Sequence, residues 1–231
     1  MPEAAKPAGK RLRFGEEPLY LIAILLMAIG VAFTERAGFG MSMVVAPAYL
    51  ISMVTGLSFG TVEYLVQGAL LIVMALIVRR FRISYLFSFL TAFVYGLTLN
   101  AFLPLFAGLP ADSIPLRILW FLLGSTIVAL SVAMFFRVYL SPEAYDLFVR
   151  EVAERFHLPM GRFKLCYDLG SALLSLVLSF ALFGFGRFVG IGWGTLVLAL
   201  INGPIIGFFG RLLDRFFVFY PMLPIAKYFR D

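Results

Sequence analysis

The sequence predicts an all-α membrane protein of about six transmembrane helices, built as two inverted three-helix repeats, each with a short non-spanning helix. Three observations lead there. The 231 residues are 62% hydrophobic and only 14% charged, with a mean hydropathy of +0.98, far outside the range of water-soluble domains. Apolar runs long enough to cross a hydrocarbon core, about 20 residues for roughly 30 Å, recur from end to end. Finally, the order of elements in the first half is repeated in the second at an offset of 101 residues.

The first 17 residues form a basic tail with Lys6, Lys10, Arg11 and Arg13 ahead of "PLYLIAILLMAIGVAF". The layout is that of a signal peptide, but no small-residue cleavage site follows and the run continues into "TERAGFG", so a retained first span is expected. One transmembrane domain covers 18–212, with repeat one at about 18–103 and repeat two at about 115–212, and an aromatic tail over 213–231 is read as an interfacial anchor. The spans are placed at 18–37, 60–78, 83–103, 115–137, 161–182 and 188–210.

Two shorter segments follow the first and fourth spans. Segment 142–157 holds Glu143, Asp146, Arg150, Glu151, Glu154 and Arg155, too much charge to cross lipid. Its Tyr145, Phe148, Val149, Val152 and Phe156 recur at helical spacing, so an amphipathic helix lying on the membrane surface is expected. Segment 41–57 is read as re-entrant or surface-bound, because a seventh crossing would carry "RRFR" at 79–82 to the outer face. With both termini cytoplasmic, only Arg36, Arg117 and Arg187 of the 19 basic residues remain outside, as the positive-inside rule requires. The expected location is a bacterial inner membrane.

The offset of 101 places Gly60 on Gly161, Arg36 on Arg137, Glu63 on Lys164 and Gln67 on Asp168. A three-crossing unit is followed by its copy upside down, the arrangement of many secondary transporters, whose sites lie at the repeat interface near mid-membrane. Asp168 is the sharpest position, a short carboxylate roughly 12 Å along its helix, where charge costs about 2.5–3.5 kcal/mol on insertion scales. Lys164 stands one turn before it, an order of base and acid that does not favour the helix itself. Glu63 and Gln67 repeat that spacing. The four are expected to face one another as a polar centre that binds substrate or ion, with Asn202 as a further candidate. Each has a structural alternative: a helix-locking pair for Asp168, snorkelling for Lys164, a dipole position for Glu63 and interhelical glue for Gln67.

Arg36 and Arg137 close their spans at equivalent positions, as anchors or, turned inward, as gates. Gly190, Gly192, Gly194 and Thr195, with Gly203 and Pro204, suit close helix packing or, at Asn202–Pro204, an unwound break. "GIGWG" has no preceding strand and is no nucleotide loop. Cys166 is the single cysteine, which excludes an internal disulfide, and His157 is the single histidine. No catalytic triad, zinc motif or cofactor site can be assembled, so neither an enzyme nor a cofactor is expected. The net charge of +6 sits on membrane flanks, which disfavours nucleic acid as a partner; the bilayer, a small solute and a second copy are the expected ones.

"FKLCYDLGSALLSL" followed by "GIGWGTLVLALINGPIIGFF" resembles the closing region of the YczE/YitT-like bacterial membrane proteins, and "ERAGFGMSMVVAPAYLIS" with "GLSFGTVEYLVQGALL" is similar to their first half. The resemblance implies that Lys164, Asp168, Gly190, Gly192, Gly194 and Thr195 belong to the family pattern. It bears on fold more than on function. The functional expectation is a small secondary transporter for a polar or anionic solute, with proton coupling through Asp168 or Glu63. The competing expectation is a non-transporting scaffold that works through 142–157 and the tail.

Overall fold

The computed structural model describes residues 12–224 and 226; of the basic flanks, Lys6, Lys10, Arg11, Lys227 and Arg230 lie outside the described residues. The chain runs β1 (Leu12–Gly15), α1 (Glu16–Ala37), α2 (Ala46–Thr55), α3 (Phe59–Val78), α4 (Ile83–Ala107), α5 (Ile114–Phe135), α6 (Ala144–Arg155), α7 (Met160–Phe183), α8 (Trp193–Phe216) and β2 (Phe217–Tyr220). Six helices, α1, α3, α4, α5, α7 and α8, are long and apolar enough to cross a membrane, and α2 and α6 are the two short helices expected between them. This is a multi-pass membrane protein.

Local chemistry sets the boundaries. Gly38 at φ 65° ends α1, and Gly56 at φ 71° ends α2, each in the left-handed region that glycine enters without cost. Proline in the first turn of α2 and of α5 suits a position with no intrahelical N–H bond to lose. The last span starts at Trp193 and continues to Phe216, later than expected, because Gly186 and Gly190 take positive φ and hold 184–192 as a loop.

Helix α1 packs along α5, and α1 also packs on α4, as α5 does on α8. At the α1–α5 crossing a Cβ on Gly30 would meet the Gly124 carbonyl oxygen at 2.9 Å, and one on Gly124 would meet the Gly30 oxygen at 2.7 Å, so bare backbone is what permits the approach. Ser131 Oγ donates across the same seam to the Ala23 carbonyl at 2.7 Å. The apolar core lies around this pair, from Ala23, Ile24, Ala28 and Val31 to Phe59, Val62, Tyr95 and Leu99.

Helix α6 departs from the sequence reading. It does not lie on the surface: Ala144, Tyr145, Leu147, Val149, Glu151, Val152 and Ala153 are buried. The helix packs on α3, α4 and α7. Its first residue meets Gln67, eight residues into α3, or about 12 Å along a helix of about 30 Å, whereas Leu147 and Val152 pack with Met74, Val78 and Tyr85 nearer the other end of α3. The chain after α5 therefore dives to mid-depth and α6 returns, making a re-entrant half-helix. Its charges are tolerated because Arg150, Glu154 and Arg155 are exposed. Buried Glu151 accepts bonds from Tyr85 Oη at 2.8 Å and Arg82 Nη1 at 3.2 Å.

Strands β1 and β2 pair in parallel, Leu12 opposite Phe217 and Gly15 opposite Tyr220. Residues 12–15 and 217–220 thus lie on one side, as six crossings between them require. Glu17 fastens them, accepting N–H bonds from Met222 at 3.0 Å and Leu223 at 2.8 Å. The stretch expected to be an interfacial anchor is, over Phe217–Tyr220, a paired strand.

Helices α3 and α4 pack along each other, whereas α7 and α8 stand apart. A Cβ on Gly60 or Gly96 would strike the other's backbone oxygen. Asn100 Oδ1 accepts the Gly60 N–H at 2.8 Å, and its Nδ2 donates to Thr61 Oγ1 at 3.2 Å. On α7, Gly161 faces open space, and only Ser175 and Ser179 of the helix are buried.

Candidate functional site

Three elements converge at mid-depth: the first turns of α3, the start of α6 and the first turns of α7. Glu63 and Gln67, one turn apart on α3, are both completely buried. Gln67 Nε2 donates to Glu63 Oε1 at 3.2 Å while its own Oε1 accepts the Ala144 N–H at 3.0 Å. The amide thereby satisfies one free N–H at the α6 N-terminus and one oxygen of the acid. Glu63 Oε2 is buried with no hydrogen-bond partner. Tyr145 directs its hydroxyl at the Glu63 carboxylate without closing a hydrogen bond on it.

On α7, Lys164 Nζ lies 3.2 Å from Asp146 Oδ1 and 3.2 Å from Asp168 Oδ1. Only the bond to Asp146 has hydrogen-bond geometry, and Asp168 Oδ1 is left without a hydrogen-bond partner. Lys164 is thus a bridge between helices and does not snorkel away from them. Tyr167, beside it, stands within electrostatic reach of Glu63.

The two predicted pairs reach one neighbourhood, but they do not face each other directly. The start of α6 stands between them and supplies Glu143, Tyr145 and Asp146, none of which was a site candidate. Glu143 Oε1 is buried and unpartnered. Burial first, then the neighbouring Glu63 and Asp146, push its carboxyl well above the usual carboxylate range, against the opposing pull of Lys164. Burial likewise lifts the Tyr145 hydroxyl well above the ordinary tyrosine value, and Glu63, Tyr167 and Glu143 add to it. A charged segment does not advertise one more carboxylate as unusual. The one available signal was Pro142–Glu143 directly ahead of a helix start, an N-terminal cue that places the acid at the inner end of α6.

A cavity of about 790 Å³ opens beside this centre on the side of the chain termini. Arg82, Arg150 and Lys164 line it together with Asp146, Glu151 and Glu154, three bases against three acids. Lys164 and Asp146 belong to both the cavity wall and the buried centre.

The remaining candidates lie elsewhere. Asn202 sits on α8, which packs on α5, and its buried Oδ1 has no hydrogen-bond partner. Helix α8 is unbroken through Asn202, Gly203 and Pro204, and a Cβ on Gly203 would touch nothing, so these residues neither unwind the helix nor pack it. Gly190 and Gly192 belong to the loop before α8, whereas Gly194, in its first turn, lets α8 approach α5, where an added Cβ would meet the Phe121 ring at 2.7 Å. Gly190 O accepts from Met41 N at 2.9 Å, Gly194 N donates to Phe39 O at 2.9 Å, and a Cβ on Gly192 would strike the Phe39 oxygen. Thr195 Oγ1 donates to the Met41 carbonyl at 2.7 Å. Arg36 and Arg137 are ties, not inward gates. Arg36 Nε donates to the Leu109 carbonyl at 2.6 Å, and Arg137 pairs with Asp214 on α8 through bonds of 2.7 and 2.6 Å.

The chain is 25% identical over 206 residues to the uncharacterized protein YyaS of Bacillus subtilis (strain 168), an alignment covering 86% of this chain and 94% of that one. No solved structure matches it. Residues 15–211, from the start of α1 into α8, match the profile of a family described as a family of unknown function, DUF6198. The chain, matched over nearly all of its transmembrane region, belongs to the DUF6198 family.

Proposed function

We propose that this protein is a small secondary transporter for a polar solute, working by exchange of packing between two inverted repeats in a bacterial cytoplasmic membrane. The observation that supports the reading is a pattern of helix contacts that agrees with two repeats except around α4 and α8. Replacing α1–α4 by α5–α8 turns the α1–α4 contact into α5–α8, α2–α3 into α6–α7 and α3–α6 into α7–α2, all of which occur. Two single bonds run between comparable elements: from α8, Thr195 Oγ1 donates to the Met41 carbonyl, and from α4, Ser88 Oγ donates to the Pro142 carbonyl, each at 2.7 Å; the acceptors stand 101 residues apart and the donors 107. Arg36 ties α1 to the end of α4 as Arg137 ties α5 to α8. The exceptions both involve the last helix of a repeat: α4 packs on α3 and on α6, whereas α8 stands apart from α7 and from α2.

Two such states of one joint are what alternating access requires: repeat one closed while repeat two is open, then the reverse. Asn202 supports the reading, since it lies one residue from the position that corresponds to Asn100 and its Oδ1 is buried without a partner. In the exchanged state it would accept the Gly161 N–H as Asn100 accepts that of Gly60. The balanced charges of the cavity favour a zwitterionic or dipolar solute over a plain anion. Location and orientation rest on the charge bias of the loops and on the bacterial relative, and the likeness to the YczE/YitT-like proteins agrees with them. The surfaces a scaffold would offer are engaged within the chain, α6 by burial and Phe217–Tyr220 by pairing.

The test is flux. Protein reconstituted in liposomes is challenged with concentration jumps of small zwitterions, glycine and glycine betaine among them, with protein-free vesicles as control. Uptake that Asp168→Asn abolishes without loss of fold is expected; absence of flux for every solute and gradient, with the fold retained, removes the reading.

A further inference from the structure

Glu63 and Glu143 come from different elements, and the Lys164 ammonium, the cation that faces Glu143, is already engaged by Asp146 and Asp168. Glu63 is met from α4 by Tyr95, from α6 by Tyr145 and from α7 by Tyr167. Glu143 is met from α1 by Tyr20, from α3 by Glu63, from α4 by Tyr95, from α6 by Asp146 and from α7 by Lys164. Each acid buries one oxygen with no hydrogen-bond partner. Two ionised carboxylates in such a place would repel each other in a poorly screened setting, and the single Gln67 amide on Glu63 Oε1 is too little to compensate. The tyrosines that surround them supply polar edges but no positive charge.

From this geometry we infer that Glu63 and Glu143 form a proton-holding pair at the repeat interface, and that a proton is the coupling ion of the transporter proposed above. The inference rests on the transport reading for its purpose, though the pair itself can be detected without transport. It also moves the proton role from Asp168, which keeps Lys164 as a neighbour, to two acids that share none so close. A metal cation has less support, because among the described residues no three acidic, histidine or cysteine side chains come together as a metal-binding group. The half-helix α6 bears directly on the exchange: Glu143 precedes it and Gln67, bonded to Glu63, holds its first N–H. Proton gain or loss at the pair therefore acts on the contact between α3 of one repeat and α6 of the other.

The test uses the full chain in lipid nanodiscs, read by pH-difference infrared spectroscopy. A carboxylic-acid C=O band present at neutral pH and lost on alkalinisation is expected; Glu63→Gln or Glu143→Gln alone should shift or weaken it, and the two together should remove it. A second measurement needs no variant: the wild-type protein is treated with the hydrophobic reagent dicyclohexylcarbodiimide, which modifies protonated buried carboxyls, and digested for mass spectrometry. Modification at Glu63 or Glu143, suppressed at high pH, is the expected result. The inference is overturned if the band survives both substitutions, if neither acid is modified at any pH, or if sodium at fixed pH removes the band as alkali does. Liposomes that carry a zwitterion with no accompanying proton movement would overturn the coupling role and leave the transport reading standing.

Discussion

Gln67 shows how much one side chain decides at mid-membrane. It holds the Ala144 N–H and a Glu63 oxygen together, so Gln67→Leu strands both groups in a buried site. An unsatisfied buried group costs about 1–3 kcal/mol, and thermal unfolding in detergent should show a loss of that order, larger than for Leu71→Val further along the same helix. Glu143 makes a pH-dependent contribution of the opposite kind to a salt-bridged acid. Its folded-state pKa lies above the unfolded value, so its contribution is fully present below the ordinary carboxylate range and is lost as pH rises through the raised value. Stability should therefore decline across that window in the wild-type protein, and Glu143→Gln should flatten the slope in unfolding titrations; an unchanged slope would show that the acid is not held protonated. Glu63, Gln67, Lys164 and Asp168 were legible in the sequence because a polar residue inside an apolar run has no inexpensive place to go. Glu143 and Asp146 were not, because inside a charged segment burial, not residue type, distinguishes a functional acid.

At the scale of elements, all six spans were readable, since an apolar stretch of about 20 residues has few alternatives to crossing; their bounds agree to within two residues except at the end of α4 and at both ends of α8. The position of α6 was not. Its apolar face suits a membrane surface and a protein groove equally well, and only the presence of α3, α4 and α7 around it selects the groove. Leu147 is completely buried there, and Leu147→Ala should cost about 2–5 kcal/mol in unfolding experiments, whereas a surface-lying helix would lose far less. Gly161 gives the complementary case. It touches nothing in this state, so Gly161→Leu should leave unfolding within about 0.5 kcal/mol of the wild type. If α7 must close on α8 as α3 closes on α4, the same substitution should nevertheless abolish flux in proteoliposomes. Normal flux would mean that no such closure occurs. The glycines near 190 illustrate a limit of pattern reading: they suit close helix packing as a pattern, but Gly190 adopts positive φ and, with Gly192, belongs to a loop pressed against residues 39–41.

For the whole molecule, the offset of 101 was visible in the sequence as a handful of weak matches, and the proposed exchange leans on the helix contacts that agree with it. Arg36 and Arg137 are identical and Met41 and Pro142 dissimilar at the offset of 101, while Asn100 and Asn202 are identical but one residue out of step with it. What no sequence periodicity could reveal is that one joint is closed and its counterpart open, because both conditions are compatible with the same residues. The most direct measurement is therefore a pair of distances by double electron–electron resonance in liposomes, in a Cys166→Ala background. One pair of labels is placed at exposed Leu169 and Phe208 on α7 and α8, the other at exposed Leu65 and Leu97 on α3 and α4. The expected result is two populations for each pair, with the α7–α8 distance shortening as the α3–α4 distance lengthens when pH or solute gradient is changed. A single unchanging distance for both pairs under every condition would contradict the exchange of packing on which the proposed function rests.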